Sequence, residues 1–229
     1  MSKSKSIINQ AKKFGEITIG ALPYGSTVLD AFRIFQETRA ILFLENLKKY
    51  EDELEGEKKQ KFLNFVESNN GKEILAEFVA KTISTSSKLV SIALALAYSK
   101  LSSNVISKGT ALYICSALNG IDDELIDHFL LLCNKPEENQ EEQGYGNPPY
   151  KIMILSQKLI DSDSELSNNL NAEQVISSVN ELIRRRIFLP DYTFDRATPG
   201  HWTSIYGLSE NGKIIREIIL KAKTILNTS

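Results

Sequence analysis

Two histidines are the side chains of this 229-residue chain best suited to acid–base chemistry near neutral pH. His128 follows Asp127 within a helical pattern, and His201 precedes Trp202 in a polar stretch. Neither histidine belongs to a pattern that also supplies a nucleophile and an orienting carboxylate. We therefore interpret His128 as a surface or helix-capping residue and His201 as a contact residue at the tip of a β-hairpin.

Carboxylates and thiols are the other candidate reactive groups. Asp122, Asp123 and Asp127 lack the spacing of an EF-hand loop, and acidic residues are favoured at a helix start. Cys115 and Cys133 lie in apolar helical patterns without metal-ligand spacing, so we expect buried, reduced thiols. Phosphate-binding loops, zinc-protease signatures and nucleophile elbows are absent from the sequence. The sequence predicts a non-enzymatic protein with no catalytic residue, metal site or cofactor.

The residues best suited to binding a partner lie on one helix and on the hairpin after it. The helix ends in three consecutive arginines, and its outward face carries polar side chains that could read bases or contact phosphates. Glu173 and Glu181 lie on the same predicted face and would repel a nucleic acid. Protein binding and DNA binding both remain open for this face. The candidate nucleic-acid or partner-binding residues are Gln174, Ser177, Ser178, Arg184, Arg185, Arg186, Arg196 and His201.

These residues must be positioned by a helix, a two-stranded hairpin and a closing helix, which together predict a winged-helix domain at 150–229. Asn171 is a candidate N-cap with Gln174 in the capping-box position. Apolar runs at 187–189 and 202–208 predict the two strands, and Ser209 is expected to cap the last helix. The predicted inner faces are Val175, Ile176, Val179, Leu182 and Ile183 in the first helix, and Ile214, Ile215, Ile218, Ile219 and Leu220 in the last.

The sequence around the hairpin resembles bacterial winged-helix domains. Leu208-Ser209-Glu210-Asn211-Gly212 matches the "LT-x-x-G" turn that follows their second wing strand. The run SSVNELIRRRIFL resembles the exit of their recognition helix, but has Arg185-Arg186 where a glycine usually lets the chain turn. Residues 121–212 also resemble, in pattern, the C-terminal part of the abortive-infection alpha proteins, which are bacterial anti-phage factors. That resemblance implies a role in phage defence.

The residues before this module predict an N-terminal multi-helix bundle at 1–135. Residues 88–101 are apolar nearly all round and are expected to form the central helix of the bundle. The run PEENQEEQGYGNPP at 136–149 is an acidic, Pro/Gly-containing linker, where we place the domain boundary. Further helices are predicted at 6–14, 27–54, 57–67, 72–83, 107–118 and 121–133, with Asn69-Asn70-Gly71 as a helix stop, and a helix at 150–160 is predicted to open the winged module.

Composition favours a globular protein: 42% of residues are hydrophobic, 24% are charged and the net charge is −2. The sequence shows no signal-peptide pattern and no run of 18 apolar residues, so we expect a cytoplasmic protein that does not span a membrane. Residues 15–27 are apolar and glycine-containing, and we interpret them as a buried loop. The functional hypotheses are a protein-binding adaptor, a DNA-binding regulator, and a membrane-active effector that uses residues 15–35; a homodimer is compatible with each.

Overall fold

The structure, a computed structural model, describes residues 25–134, 137–138, 151–156, 162, 168, 171–190 and 203–228. The chain is mainly helical in these residues and carries a small antiparallel sheet, as the sequence predicts. The predicted helix at 6–14, most of the segment at 15–27, and both Arg196 and His201 lie outside the described residues.

The helices before the sheet follow the predicted order along the chain. A long first helix is followed by two short ones, by the central helix, and by a pair that leads into the sheet. They are α1 (Gly25–Asp52), α2 (Gly56–Glu67), α3 (Asn69–Ser84), α4 (Lys88–Ser102), α5 (Lys108–Ala117) and α6 (Asp123–Asn134).

Helix α4 is the centre of the molecule. Thirteen of its 15 residues are buried, because α1, α3 and α8 (Glu210–Thr228) pack around it. Buried polar side chains of α4 are hydrogen-bonded: the Ser99 hydroxyl donates to the Ala95 carbonyl within the helix, and the Tyr98 hydroxyl donates to the Gly71 carbonyl of α3. A helix with an apolar or satisfied surface on every side is stable only inside a bundle, and this confirms the prediction for residues 88–101.

Gly71 lies in the first turn of α3 and does not stop a helix, so that prediction was wrong. Ser68 alone separates α2 from α3, and its hydroxyl caps α3 by accepting a hydrogen bond from the Gly71 amide at 2.9 Å. A Cβ atom at Gly71 would lie 1.8 Å from the Phe65 carbonyl oxygen. Glycine is therefore needed at residue 71 because two helices approach each other closely there.

The sheet is formed by strands from several parts of the chain. Its strands are β1 (Glu137–Glu138), β2 (Lys151–Ser156), β3 (Phe188–Pro190) and β4 (Thr203–Leu208), in the order β1-β2-β4-β3 with all neighbours antiparallel. The predicted helix at 150–160 was wrong over 151–156, where β2 pairs along its whole length with β4. A short apolar run such as residues 152–155 fits either a buried strand or part of a helix, and here the pairing with β4 decides.

Helix α7 (Ala172–Arg184) leads into β3, and α8 follows β4. Ser209 caps α8 as predicted, since its hydroxyl accepts a hydrogen bond from the Gly212 amide at 3.1 Å. A Cβ atom at Gly212 would lie 2.8 Å from the Ile187 carbonyl oxygen, so glycine lets α8 start close to the chain entering β3. Two residues predicted to face inward, Ile176 and Leu220, are 48% and 39% exposed; the other eight are buried or partly buried.

One continuous apolar core contains residues from both predicted domains. Phe188 of β3 stacks on Tyr206 of β4 with ring centroids 4.5 Å apart, and Phe129 of α6 contacts Phe188 at 5.6 Å. The Tyr206 hydroxyl donates to the Leu132 carbonyl of α6 at 2.6 Å. The sheet is thus tied to α6 by aromatic packing and by a buried hydrogen bond. None of the helices within the described ranges combines the length and the apolar content that crossing a membrane requires.

Candidate functional site

Helix α7 begins with the predicted capping box. The Asn171 side chain accepts a hydrogen bond from the Gln174 amide at 2.9 Å, and the Gln174 side-chain oxygen accepts one from the Asn171 amide at 3.0 Å. Two of the amide groups at the helix start are satisfied in this way. The Gln174 oxygen is therefore occupied, and a bidentate contact with adenine would compete with the cap.

The face of α7 that was predicted to point outward is in part an interface with α6. Ser178 and His128 are both buried, and the Ser178 hydroxyl lies 2.8 Å from His128 Nδ1. The interpretation of His128 as a surface residue was wrong, and Ser178 is not available for the predicted phosphate contact. Serine and histidine are ordinary surface residues by type, so only the packing of α6 on α7 reveals the pair.

This pair resembles part of a nucleophile–base arrangement, since Glu124 Oε1 lies 4.0 Å from His128 Nε2. However, Ser178 lies in the interior of α7, where backbone amides bond to carbonyls four residues back and cannot stabilise an oxyanion. The buried hydrogen bond between Ser178 and His128 therefore links α6 to α7.

A cleft of about 430 Å³ opens beside this hydrogen bond, between the start of α6 and the first three turns of α7. We call it the acidic cleft because, of the described residues that line it, four carry carboxylates and none is a lysine or arginine. Ser177 is exposed at its edge, as predicted. Asp122 also caps α6, since its carboxylate accepts a hydrogen bond from the Leu125 amide at 2.8 Å. Its lining residues are Asp122, Glu124, Leu125, His128, Asn171, Glu173, Gln174, Ser177, Ser178 and Glu181.

Two of the three arginines at the end of α7 are paired with Glu181. Arg184 donates two hydrogen bonds of 2.7 Å to the Glu181 carboxylate, and Arg185 Nε donates a third of 2.7 Å. These hydrogen bonds, that from Arg184 first, lower the pKa of Glu181 to about 2. The cluster therefore carries less free positive charge than the sequence predicts.

Arg185 also holds the end of α5. Its guanidinium donates to the carbonyls of Ala117 at 3.2 Å, Asn119 at 2.6 Å and Gly120 at 3.3 Å. Its side chain is only 16% exposed, against 73% for Arg184. The prediction that Arg185 lies on an exposed face was wrong, because the C-terminal carbonyls of α5 need donors and Arg185 supplies them.

Arg186 has the left-handed backbone conformation, with φ of 61°. Its amide bonds to the Ile183 carbonyl at 2.8 Å, and the Ile187 amide bonds to the Leu182 carbonyl at 2.9 Å. These two bonds form a Schellman motif, whose left-handed residue is usually glycine. The turn expected of a glycine is therefore made by an exposed arginine.

A second cleft of about 430 Å³ lies between the end of α5 and the end of α7. We call it the arginine cleft; it is lined by Tyr113, Ser116, Ala117, Asn119, Arg184, Arg185 and Arg186. Burial raises the pKa of the Tyr113 phenol, and the nearby positive charge of Arg186 opposes that rise. The α5 residues of this cleft are far from α7 in sequence, and no local pattern indicated them.

Comparison with known proteins identifies no relative: no family model, curated protein or solved structure matches the chain. In the part of the chain that the structure describes, no group of three or more His, Cys, Asp or Glu side chains could hold a metal ion. Cys115 and Cys133 are buried, as predicted, and burial raises the pKa of Cys115 to about 12. The candidate sites are therefore the two clefts on either side of Glu181.

Proposed function

We propose that this protein is a non-enzymatic winged-helix adaptor that binds a cationic segment of a protein partner in the acidic cleft. The winged-helix assignment is supported by α7 leading directly into the antiparallel pair β3–β4, with β2 as the third strand and α6 packed on α7. The observation that carries the function is that the acidic cleft is lined by Asp122, Glu124 and Glu173, whose carboxylates form no ion pair with a described lysine or arginine. The fourth carboxylate, that of Glu181, pairs with Arg184 and Arg185. The complementary ligand of the cleft is an arginine- or lysine-rich segment.

A DNA-binding regulator that uses α7 and the hairpin is the second candidate, and the same surface disfavours it. Three carboxylates of the acidic cleft, those of Asp122, Glu124 and Glu173, lie beside the helix that would approach the phosphates. DNA affinity depends mainly on neutralising phosphate charge, and Glu181 already pairs with Arg184 and Arg185. Arg196 and His201 remain candidate contacts on the predicted hairpin.

The adaptor hypothesis is tested by fluorescence anisotropy of the full chain with three labelled probes: an arginine-rich peptide, a glutamate-rich peptide of equal length and a random DNA duplex. We expect the basic peptide to bind most tightly and Glu124→Gln/Glu173→Gln to weaken it about tenfold, or about 1.4 kcal/mol. The control Glu55→Gln/Glu57→Gln makes the same charge change at exposed positions of the distant α2 region. Equal loss in both variants, or tighter binding of the duplex, would contradict the proposal.

The resemblance to the abortive-infection alpha proteins implies that the chain acts in phage defence. In bacteria expressing the chain, phage plating efficiency should fall, and Glu124→Gln/Glu173→Gln should restore plating where the control variant does not. The membrane-active alternative has a separate readout: dye release from liposomes at micromolar protein would support it against the adaptor hypothesis.

A further inference from the structure

We propose that the arginine cleft is a second binding site, which takes the phosphate group of a small phosphorylated ligand through Arg186. This inference does not rest on the proposed function, although Glu181 of the acidic cleft pairs with Arg184 and Arg185 of the arginine cleft. The inference depends on which arginine is unoccupied, on the backbone conformation of Arg186 and on the groups opposite it.

The three arginines of the cleft differ in what they already bind. The guanidinium of Arg185 is used by Glu181 and by three backbone carbonyls, and that of Arg184 by both oxygens of Glu181. Among the described residues, none forms a hydrogen bond or an ion pair with Arg186. Within the part of the chain that the structure describes, Arg186 is therefore the guanidinium of the cleft that can bind an external anion.

The backbone at Arg186 supports a role for its side chain. Left-handed φ disfavours a residue with a Cβ atom, and glycine would make the same Schellman turn without that cost. Strained residues that persist in a fold are a reason to look for a function of the side chain. An arginine at this position adds nothing to the turn, but it places a positive charge on the wall of the cleft.

The opposite wall supplies groups that suit a phosphate. Tyr113 and Ser116 of α5 contribute hydroxyls, and Asn119 contributes an amide whose oxygen already accepts a hydrogen bond from Ser84 at 3.1 Å. One guanidinium with several neutral donors matches a tetrahedral oxyanion. Arg185 ties the two walls together, so the cleft is held in place before a ligand arrives.

The volume of the cleft indicates the size of the ligand. About 430 Å³ exceeds what a phosphate ion needs and falls in the range of roughly 300–1,000 Å³ typical of small-molecule sites. The half-buried Tyr113 offers an aromatic surface for the organic part of the ligand. A phosphate monoester of about nucleotide size fits both features.

The test is isothermal titration of the full chain with adenosine monophosphate, with inorganic phosphate and adenosine as separate arms. We expect the monophosphate to bind and adenosine not to bind. Binding of inorganic phosphate as well would show that the protein recognises the phosphate group. Arg186→Gly should weaken binding by about tenfold or more while leaving Tm unchanged or raising it by about 2–4 °C. Because this variant removes the strain, a folding defect does not explain lost binding.

The control Lys61→Gln removes the same charge from a highly exposed position on α2 and should bind the monophosphate as the wild type does. Three outcomes would overturn the proposal: no binding of phosphate or monophosphate at millimolar concentration, equal binding by Arg186→Gly, or equal loss in Lys61→Gln.

Discussion

Three consecutive arginines illustrate how little the residue type alone says about a role. Arg184 is exposed and pairs with Glu181, Arg185 is largely buried and caps α5, and Arg186 makes a left-handed turn. Arg184 is the last helical residue, Arg185 is the C-cap and Arg186 is left-handed, so the three side chains leave the backbone in different directions. All three arginines carry a positive charge, whereas their contributions to stability should differ widely.

Replacing Arg185 by Met should lower the free energy of unfolding by about 2–4 kcal/mol, because three carbonyls and the Glu181 carboxylate lose a buried donor. Arg184→Met should cost clearly less than Arg185→Met, since the ion pair of Arg184 is exposed. Urea unfolding at pH 7 measures both values. Equal costs would show that Arg185 does not hold the end of α5.

Glu181 should make stability depend on pH in the acid range. Its folded-state pKa of about 2 is below the ordinary value of 4.5, so its stabilising contribution is complete above about pH 5 and is lost as pH falls towards 2. The difference in unfolding free energy between wild type and Glu181→Gln should therefore be constant above pH 5, at about 1 kcal/mol for a partly exposed pair, and shrink below it. Urea unfolding from pH 2.5 to 7 measures the difference.

Arg184 is the largest cause of the low pKa, so Arg184→Met should remove most of the pH-dependent part of this difference. A difference that stays the same between pH 5 and pH 2.5 would show that Glu181 is not held ionised in the folded protein.

At the scale of the helices and strands, the ends of helices were easier to predict than their buried and exposed faces. Asn171 and Ser209 cap the helices that the sequence assigned to them, because a cap depends on residues within one turn. The faces of α7 depend on α6, about 50 residues away in sequence, and so the burial of Ser178 could not be predicted. The strand at 151–156 likewise depends on pairing with β4.

The same distinction between local and long-range contacts explains which residues of the two clefts could be predicted from the sequence. Glu173 and Glu181 were recognised as acidic residues on the face of α7, but α6 was needed to turn them into one wall of a cleft. The missing glycine before β3 was visible in the sequence, and it indicated an unusual turn at Arg185-Arg186. The position of Tyr113 opposite that turn requires the whole helical body.

At the scale of the molecule, the core crosses the predicted boundary at 136–149. Helix α8 buries Ile215, Ile218 and Ile219 largely against the central helix α4. Tyr206 of β4 bonds to α6, and burial raises its pKa well above the ordinary value. An isolated segment at 150–229 would expose these apolar side chains to water. The predicted division into domains at 1–135 and 150–229 implies that each part folds independently, and unfolding experiments test this.

We expect the whole chain to unfold in a single cooperative transition, because the shared core makes each part depend on the other. The single tryptophan, Trp202, lies in the C-terminal part, so its fluorescence and the far-ultraviolet circular dichroism should give the same urea midpoint. Ile218→Ala should cost about 2–5 kcal/mol and shift both signals together. A tryptophan transition that moves alone in Ile218→Ala would instead make 136–149 a boundary between independently folding domains, since the loss of packing on α4 would then leave the N-terminal bundle intact.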